Sequence, residues 1–500
     1  MIFFKKGKLW YDKYHFLQSN LRVISLPNVR KMKIEQIYTN CMAHAAYYLE
    51  SNGEAAIFDP LREVDDYIAK AVNNHATIKY VFETHFHADF VSGHLDLARK
   101  TGAIIVYGPT AKPQFEALIA EDGQEFWVGN CRVKAIHTPG HTLESTTYLL
   151  IDELGKEHGI ISGDTLFIGD VGRPDLAQHV VADLTEDKLA KMLYHSLRTK
   201  IMPLSDDLIV YPNHGAGSAC GKNMSKETTD TLGNQKRTNY ALRANMTEEE
   251  FVSELLNGLT QPPGYFPKNV LLNIKGYESL ECVLTKGKKP IEVKDFKDLI
   301  QDGSVIVLDT RSAAVFADGF IPNSINIGID GNFAMWVGEM IENINQKFVL
   351  VTELGREEEC LIRLSRVGYD GTIGYLAGGF EVWFNEGFPV QTIKRIEATE
   401  ITTHYSNWPI VDVRKKSEFD AEHVQGAINI PLNQLYKRIH EFPTTNFVLH
   451  CAGGYRSMIA ASLLYQRGIQ YFVEVNGGFS AIKETSLLPI TDYVCPLTML

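Results

Sequence analysis

The stretch VFETHFHADFVSGH (81–94) concentrates residue types that bind transition metals at the end of an apolar run. It places His85, His87 and Asp89 at alternate positions. Imidazole is the commonest protein ligand for such metals, and carboxylate often accompanies it. The triplet therefore predicts a metal centre on a loop that follows a strand, where functional sites are usually built.

Three more candidate ligands follow later apolar runs in the same way. His141 stands in IHTPGHT, Asp164 in IISGDT and His214 in YPNHGAGSACG. Each is flanked by glycine, proline, serine or threonine, so each is expected on a loop at a strand end. A lone histidine is more often structural, but this recurrence after successive strands favours one shared metal site.

A second kind of chemistry is indicated by the loop CAGGYRS (451–457), which lies between the strand-like run FVLH and the helical pattern MIAASLLYQRG. A thiol at a strand end, surrounded by backbone N–H groups and a helix N-terminus, has its thiolate stabilised. Arg456 adds positive charge, so Cys451 and Arg456 are the candidate catalytic residues of an anion-binding loop. The substrate-binding residues expected around them are Gly453, Gly454, Tyr455 and Ser457.

Short β runs must position the metal candidates. From Met32 to about residue 221, runs such as AAYYLE, EAAIFD, KYVFET, AIIVYG, CRVKAIHT, TTYLLI, HGIISGD and DLIVYP are β-branched or aromatic and end in polar residues. Helices are predicted between them over 63–73 and 92–101, and an amphipathic helix is predicted over 247–259 behind a threonine N-cap. This alternation predicts packed sheets with helices outside.

An internal repeat follows residue 288. VIVLDTRSAAVFADGFIPNSINI (305–327) parallels PIVDVRKKSEFDAEHVQGAINI (409–430), and KFVLVTELGR (347–356) parallels NFVLHCAGGYR (446–456). Two copies of one α/β unit, each of about a hundred residues, explain the pattern. Thr352 stands where the second copy has Cys451, and acidic residues stand elsewhere in the corresponding loop. The first copy is therefore expected to be a spacer without thiol chemistry.

The totals exclude several classes of protein. A chain of 500 residues predicts more than one domain, and a net charge of −12 argues against nucleic-acid or anionic-membrane partners. The seven cysteines lack C-x-x-C spacing, which is typical of reduced thiols. No run is long enough to span a membrane, and residues 1–31 lack the features of a signal peptide, so a cytoplasmic protein with an N-terminal extension is expected.

The motifs T-H-F-H-A-D-F, T-P-G-H-T, S-G-D-T and P-N-H-G, spread over about residues 32–221, resemble the metallo-β-lactamase superfamily. The resemblance implies an αββα sandwich. The family's first motif usually ends in histidine, where this chain has Phe90, so two tightly held metals are not expected. The implied ligands of a single metal are His85, His141 and Asp164, with His87, Asp89 and His214 behind them or in the remnant of a second metal site.

Two imidazoles and one carboxylate with open positions suit non-heme Fe(II) and oxygen chemistry. The persulfide dioxygenases of this superfamily use that ligand set, and GDVGRPDL (169–176) extends the resemblance to them. It implies one Fe(II) per chain and Arg173 near a substrate carboxylate, with a loop salt bridge as the alternative. Cys220 is a candidate for sulfur exchange near the iron, with an inert buried thiol as the alternative.

The Cys451 loop, together with IVDVRKKSEF and HVQGAINIP, resembles the rhodanese family, which implies a persulfide carried on Cys451. The implied fold class is α/β and α+β multidomain, a metallo-β-lactamase sandwich followed by two rhodanese-like α/β domains. This order resembles the bacterial persulfide dioxygenase–sulfurtransferase fusions. The predicted boundaries are 1–31 for the extension, 32–285 for the dioxygenase domain, 290–392 for the inactive copy and 396–494 for the active copy.

The resemblance implies iron-dependent oxidation of a thiol persulfide, such as glutathione persulfide, by O2 to sulfite. Cys451 would then pass a sulfane sulfur to sulfite, giving thiosulfate and detoxifying sulfide, or the transfer would run in reverse. Two alternatives stay open: a glyoxalase II-type thioester hydrolase fused to a sulfurtransferase, and a non-enzymatic persulfide carrier or sensor. A homo-oligomer is expected by default.

Overall fold

The computed structural model describes residues 31–176, 184–259, 261–301 and 303–494. The predicted N-terminal extension lies outside them, apart from Lys31. Among the described helices, none combines the length and the apolar character that a membrane crossing requires.

Two six-stranded sheets form the front of the molecule. In spatial order the first contains β1 (Lys33–Thr39), β2 (His44–Ser51), β3 (Glu54–Phe58), β4 (Thr77–Phe82), β5 (Ile104–Tyr107) and β6 (Leu118–Ile119). The second contains β7 (Glu125–Val128), β8 (Cys131–His137), β9 (Thr146–Ile151), β10 (Glu157–Gly163), β11 (Ile209–Pro212) and β12 (Asp230–Thr231).

The alternation of side chains along β2 explains the layering. Tyr47 and Leu49 join a cluster with Tyr148 of the second sheet, whereas Tyr48 joins a cluster with the helical residue Tyr67. Because successive strand residues point to opposite faces, a strand apolar on both faces needs cover on both sides. The predicted sandwich with outer helices is thereby confirmed.

Among the described residues up to 287, the helices are α1 (Asp65–Asn73), α2 (His94–Thr101), α3 (Glu186–Ser196), α4 (Leu232–Thr238), α5 (Glu248–Leu256), α6 (Phe266–Lys275) and α7 (Leu280–Gly287). The three predicted helices are present, although each is shorter than predicted. Thr247 caps α5, and Glu250 completes a capping box, as the sequence pattern predicts. A π-helical turn (Leu197–Ile201) continues α3, and short 3-10 turns lie at Asn40–Met42, Tyr240–Leu242, Leu432–Gln434 and Ile439–Glu441.

Two parallel five-stranded sheets follow, with strand orders β13-β17-β16-β14-β15 and β18-β22-β21-β19-β20. The first copy contains β13 (Pro290–Ile291), α8 (Val293–Leu299), β14 (Val305–Asp309), α9 (Ala313–Asp318), β15 (Ile325–Asn326), α10 (Phe333–Met340), β16 (Lys347–Val351), α11 (Glu357–Arg366), β17 (Thr372–Leu376) and α12 (Gly379–Asn385). The second contains β18 (Arg395–Ile396), α13 (Glu400–His404), β19 (Ile410–Asp412), α14 (Lys416–Ala421), β20 (Ile428–Asn429), β21 (Phe447–His450), α15 (Tyr455–Gln466), β22 (Phe472–Val475) and α16 (Gly478–Thr485). The identical strand order confirms the repeat.

One hydrophobic cluster continues through all three parts of the molecule, from Phe90 through Val337 to Leu449. Hydrogen bonds cross the first boundary, because the amide of Val91 donates to the carbonyl of Arg366 over 2.7 Å. The buried guanidinium of Arg62 binds Asp370 with an N–O distance of 2.8 Å. The first copy of the repeat lies between the front sheets and the second copy, and we call it the middle copy. It packs against both of its neighbours.

Candidate metal centre and thiol loop

Three separate loops bring His85, His141 and Asp164 together. His85 follows β4, His141 lies between β8 and β9, and Asp164 directly follows β10. One ligand atom from each residue lies within 4.8 Å of the other two, and all three side chains are buried. Nε2 of His141 is 3.4 Å and Nε2 of His85 is 3.8 Å from Oδ2 of Asp164. The three predicted ligands thus face a common centre.

Hydrogen bonds fix the orientation of these side chains. Nδ1 of His141 donates to the backbone carbonyl of Arg173 over 2.8 Å, which leaves Nε2 as an acceptor toward the centre. Nδ1 of His85 lies 3.0 Å from Oγ1 of Thr84. Oδ2 of Asp164 is buried and has no hydrogen-bond partner among the described residues. A buried carboxylate oxygen without a partner, facing two imidazoles, fits a metal ion.

Gly172 is needed for this packing. A Cβ at Gly172 would lie 2.1 Å from the backbone oxygen of Asp164 and 2.9 Å from Nδ1 of His141. The glycine of GDVGRPDL therefore lets the loop close over two of the ligand residues.

His87 lies next to His85, with ring centroids 4.2 Å apart, but its Nε2 contacts two other carboxylates. Its Nε2 lies 2.9 Å from Oδ1 of Asp59 and 3.4 Å from Oε2 of Glu83, and all three side chains are fully buried. Burial lowers the pKa of His87, but the hydrogen bonds and charges of Asp59 and Glu83 outweigh it and raise the pKa to about 10. Nε2 of His87 is therefore occupied by two carboxylates, whereas its buried Nδ1 has no hydrogen-bond partner among the described residues.

His214 connects the centre to Asp89. Its Nδ1 lies 2.8 Å from Oδ1 of Asp164, and its Nε2 lies 3.0 Å from Oδ2 of Asp89. Burial lowers the pKa of His214, but the charges of Asp164 and Asp89 outweigh burial. The net pKa of His214 is therefore well above its usual range. Phe90 is fully buried between the rings of His44 and His87, at centroid distances of 4.3 Å to each, and offers no ligand.

The two other predicted residues of the front site are buried. The Arg173 guanidinium forms a two-point ion pair with Asp175, with both N–O distances at 2.6 Å. Cys220 has a ligand atom within 4.8 Å of those of Asp89 and His214, and burial raises the pKa of its thiol to about 12. The structure therefore contains the salt bridge given as the alternative for Arg173, and sulfur exchange at Cys220 stays a prediction.

A cavity of about 290 Å³ opens beside His141. Its wall consists of Phe86, Ala88, Thr110, Lys112, His141, Thr142, Leu143, Glu144, Leu176, Leu184, Val270 and Ile274. Among the described residues, Lys112 is the one lysine or arginine on this wall. Sequence reasoning missed Lys112 and the two residues from α6, because no motif marks them and α6 is distant in sequence.

Cys451 lies directly after β21, in the short loop that leads to the start of α15. The amide of Gly454 donates to Sγ over 3.2 Å, and Oγ of Ser457 lies 3.4 Å from Sγ. Gly454 has a φ of +99°, a left-handed conformation that favours glycine. The loop thus directs the Gly454 amide at the sulfur, and Cys451 stands just before the N-terminus of α15.

Several partners of this loop were not predicted. Arg456 pairs with Glu418 through N–O distances of 2.5 and 2.8 Å, so its charge is shared with a carboxylate. Ser457 donates to the buried Glu474 over 2.6 Å. The Tyr455 hydroxyl faces the middle copy and donates to the carbonyl of Gly328. Glu418 and Glu474 lie outside the loop motif, and nothing in that motif signals them.

The corresponding loop of the middle copy holds no thiol. Thr352 occupies the position after β16, and Arg356 pairs with Asp330 at 2.7 Å and Glu359 at 2.9 Å. Cys360 lies further along, inside α11, where its buried sulfur contacts Oγ1 of Thr310 at 3.3 Å. Cys360 therefore does not replace the missing cysteine.

Comparison with known families identifies the parts of the chain. Residues 39–214 match the family described as "Metallo-beta-lactamase superfamily". Residues 292–386 and 392–485 each match the "Rhodanese-like domain". The two descriptions agree with the sandwich and with the repeated five-stranded sheets.

Individual proteins resemble different lengths of the chain. The hydroxyacylglutathione hydrolase of Pseudoalteromonas translucida (strain TAC 125) is 30% identical over 259 residues, which cover 50% of this chain and 91% of that protein. The probable hydroxyacylglutathione hydrolase of Schizosaccharomyces pombe is 29% identical over 175 residues, so this chain spans only 62% of that relative's length. The crystal structure of a metallo-beta-lactamase from Staphylococcus aureus subsp. aureus COL aligns with a TM-score of 0.62 and 31% identity, covering 69% of this chain and 99% of that chain.

Proposed function

Because this chain belongs to the metallo-β-lactamase superfamily and carries two rhodanese-like domains, we propose that it oxidises a thiol persulfide and transfers sulfane sulfur. The first reaction converts persulfide, O2 and water into thiol and sulfite. In the second, Cys451 delivers sulfur to sulfite and forms thiosulfate. The observation that carries the proposal is the cluster of His85, His141 and Asp164, with Nε2 of His87 occupied by Asp59 and Glu83 and with Phe90 against the His87 ring.

His85, His141 and Asp164 would hold one Fe(II) per chain. Bound there, Fe(II) would supply oxygen activation next to an anionic sulfur. The side chains of this protein contribute orientation, because the bonds from His141 to Arg173 and from Asp164 to His214 fix the ligand geometry.

The cavity beside His141 is the proposed route for the substrate. The apolar side chains of Phe86 and Leu143 would exclude water from the reacting sulfur. The names of the relatives support a glutathione-type thiol. Lys112 is placed to bind a carboxylate of such a carrier, since Arg173 is already paired with Asp175. A direct contact between Arg173 and substrate stays a prediction.

The sulfur-transfer half rests on Cys451. Its thiolate attacks the outer sulfur of a persulfide, the S–S bond to the carrier breaks, and the carrier leaves as thiol after taking up a proton. The enzyme-bound persulfide then gives its outer sulfur to sulfite, which becomes thiosulfate and regenerates the thiolate. The Gly454 amide and the N-terminus of α15 stabilise the anionic sulfur throughout.

The test is oxygen uptake by the anaerobically Fe(II)-loaded protein on addition of glutathione persulfide, with sulfite and thiosulfate assayed together. His141→Ala should abolish uptake. Cys451→Ser should retain uptake and accumulate sulfite without thiosulfate. The exposed His158→Ala is the matched control and should behave like the wild type. Uptake that persists in His141→Ala would contradict the proposed iron site.

Thioester hydrolysis is the second candidate, favoured by the names of the relatives. That chemistry commonly uses two metals, and Phe90 removes one expected ligand of the second metal. Zinc-loaded protein tested on a glutathione thioester separates the two functions. Zinc-dependent cleavage without any oxygen uptake by the iron form would favour the hydrolase. A cytoplasmic location and a homo-oligomer stay predictions.

A further inference from the structure

Tyr455 lies in the Cys451 loop but points away from the sulfur. It is the first residue of α15 and directly follows Gly454, whose amide donates to Sγ of Cys451. Its hydroxyl donates to the carbonyl of Gly328 over 2.7 Å. Gly328 belongs to the middle copy, more than a hundred residues earlier, so the reactive loop is attached to the copy that has no thiol.

Two glycines form the surface that receives the ring. A Cβ at Gly331 would lie 2.4 Å from Cε2 and Cζ of Tyr455, and a Cβ at Gly328 would lie 3.4 Å from Cε2. We call this surface, formed by Gly328 and Gly331, the glycine notch. Neither glycine has a left-handed φ, so backbone conformation does not require them. At Gly331 the close approach of the Tyr455 ring leaves no room for a side chain, whereas a Cβ at Gly328 would make an ordinary contact with that ring.

The loop without a thiol contacts the segment that contains the glycine notch. Asp330, which lies between the two glycines of the glycine notch, pairs with Arg356 through N–O distances of 2.7 and 3.1 Å. Arg356 belongs to the loop that corresponds to the Cys451 loop. Further along α15, Oγ of Ser462 accepts the amide of Asn326 at 3.1 Å. At the end of the same helix, Nε2 of Gln466 donates to the carbonyl of Asn323 over 2.6 Å, so α15 is attached to the middle copy along its whole length.

We propose that the middle copy positions the reactive loop, with Tyr455 as the positioning residue and the glycine notch as its receptor. This proposal rests on the proposed sulfur transfer at Cys451. Tyr455 does not touch the sulfur, but it fixes the first turn of α15, and with it the Gly454 amide and Ser457. A shift of that turn would lengthen the hydrogen bond to Sγ and weaken the stabilisation of the thiolate.

Gly331→Ala tests the proposal, because the added methyl group collides with the Tyr455 ring without straining the backbone. The pH profile of Cys451 alkylation should move to higher pH. The rate of sulfur transfer from thiosulfate to cyanide should fall by about tenfold, the loss expected for one weakened hydrogen bond to a charged group. Oxygen uptake at the front site should not change. Gly264→Ala is the matched control, since its Cβ would meet nothing within 4 Å.

Two further variants separate positioning from misfolding. Tyr455→Phe keeps the ring and removes only the bond to Gly328, so it should lower transfer less than Gly331→Ala does. Tyr455→Ala removes the collision, so the double variant with Gly331→Ala should transfer sulfur no more slowly than Tyr455→Ala alone. Thermal unfolding of each variant should stay cooperative, with its midpoint above the assay temperature, so that the losses are measured on folded protein.

The outcomes distinguish this proposal from the function on which it rests. If wild-type protein transfers no sulfur and forms no persulfide at Cys451, the proposed function fails. If the wild type transfers sulfur and Gly331→Ala keeps both its rate and its pH profile, the positioning role is overturned and the middle copy is a spacer. Additive losses in the double variant would also contradict the proposal.

Discussion

The two rhodanese-like copies share one strand order but differ at the loop after the fourth strand in sequence. In the second copy Cys451 receives the Gly454 amide and lies close to Ser457. In the middle copy Thr352 takes the place of the cysteine, and Arg356 is held by carboxylates. The comparison shows that one fold carries either loop, so the proposed sulfur transfer depends on a few loop residues and not on the fold itself.

The buried ion pair after the second strand is nearly the same in the two copies. Asp309 pairs with Arg311 in the middle copy and Asp412 with Arg414 in the second, with closest N–O distances of 2.6 Å in both. Each arginine also lies over an aromatic ring, at 4.2 Å from the centroid in the first case and 3.9 Å in the second. These buried pairs serve the fold, which explains why they persist in the copy without a thiol.

The largest effect is expected from moving the thiol between copies. Cys451→Ser should lower sulfur transfer by about 10³-fold or more, because the nucleophile is lost. Adding Thr352→Cys should not restore transfer, since Glu353 and Glu359 face Arg356 in that loop. Transfer from thiosulfate to cyanide measures both variants. Restored transfer in the double variant would show that the middle loop is competent and lacks only its sulfur.

The buried pairs should respond alike in both copies. Asp309→Asn and Asp412→Asn each leave a buried guanidinium without its charge partner, which typically costs about 3–5 kcal/mol. Hydrogen exchange of peptides covering β14 and β19 locates the effect. Each variant should speed exchange mainly in its own copy. A loosened β19 in the Asp309→Asn variant, as strong as that in β14, would show that the copies unfold as one unit.

A smaller effect is expected from Glu474, which the middle copy replaces by Tyr375 at the equivalent strand position. The Glu474 carboxylate accepts the Ser457 hydroxyl at 2.6 Å and Nε of Arg395 at 2.9 Å. Glu474→Gln weakens both bonds and should slow sulfur transfer by about tenfold through a less fixed Ser457. The matched control, Tyr375→Phe, should transfer sulfur at the wild-type rate. Equal slowing in both variants would point to general destabilisation.

The sequence predicted the site residues that stand in recognisable motifs. His85, His141 and Asp164 each follow a strand-like run, and the structure brings them together. The orientation of His87 was not predictable, because Asp59 lies on a different loop and no motif links the two. Glu474 was missed for the same reason. Partners from distant elements depend on how the sheets are ordered, and local patterns do not contain that information.

The repeat itself could be predicted from the sequence, but the role of the middle copy could not. The parallel segments predict two similar sheets, and the strand orders confirm them. The sequence suggested only a spacer, because the missing thiol was its most visible feature. The bond from Tyr455 to Gly328 joins residues of different copies, so it became visible only once the copies were seen packed together.

The smallest effect is expected at Glu418, where the middle copy has Val315. Burial raises the pKa of Glu418, but Arg456 outweighs it and holds the pKa below its usual range. A depressed pKa contributes stability above the pKa of the unfolded chain, and that stability is lost as the pH falls through the folded pKa. Glu418→Gln should therefore destabilise the second copy by less than about 1 kcal/mol at pH 7, since the pair is partly exposed. Urea unfolding at pH 7 and near pH 4 should show the gap between variant and wild type closing as the pH falls. Val315→Ala, the matched change in the middle copy, should leave a gap that does not depend on pH. A Glu418→Gln gap that is constant with pH would mean that its charge contributes nothing.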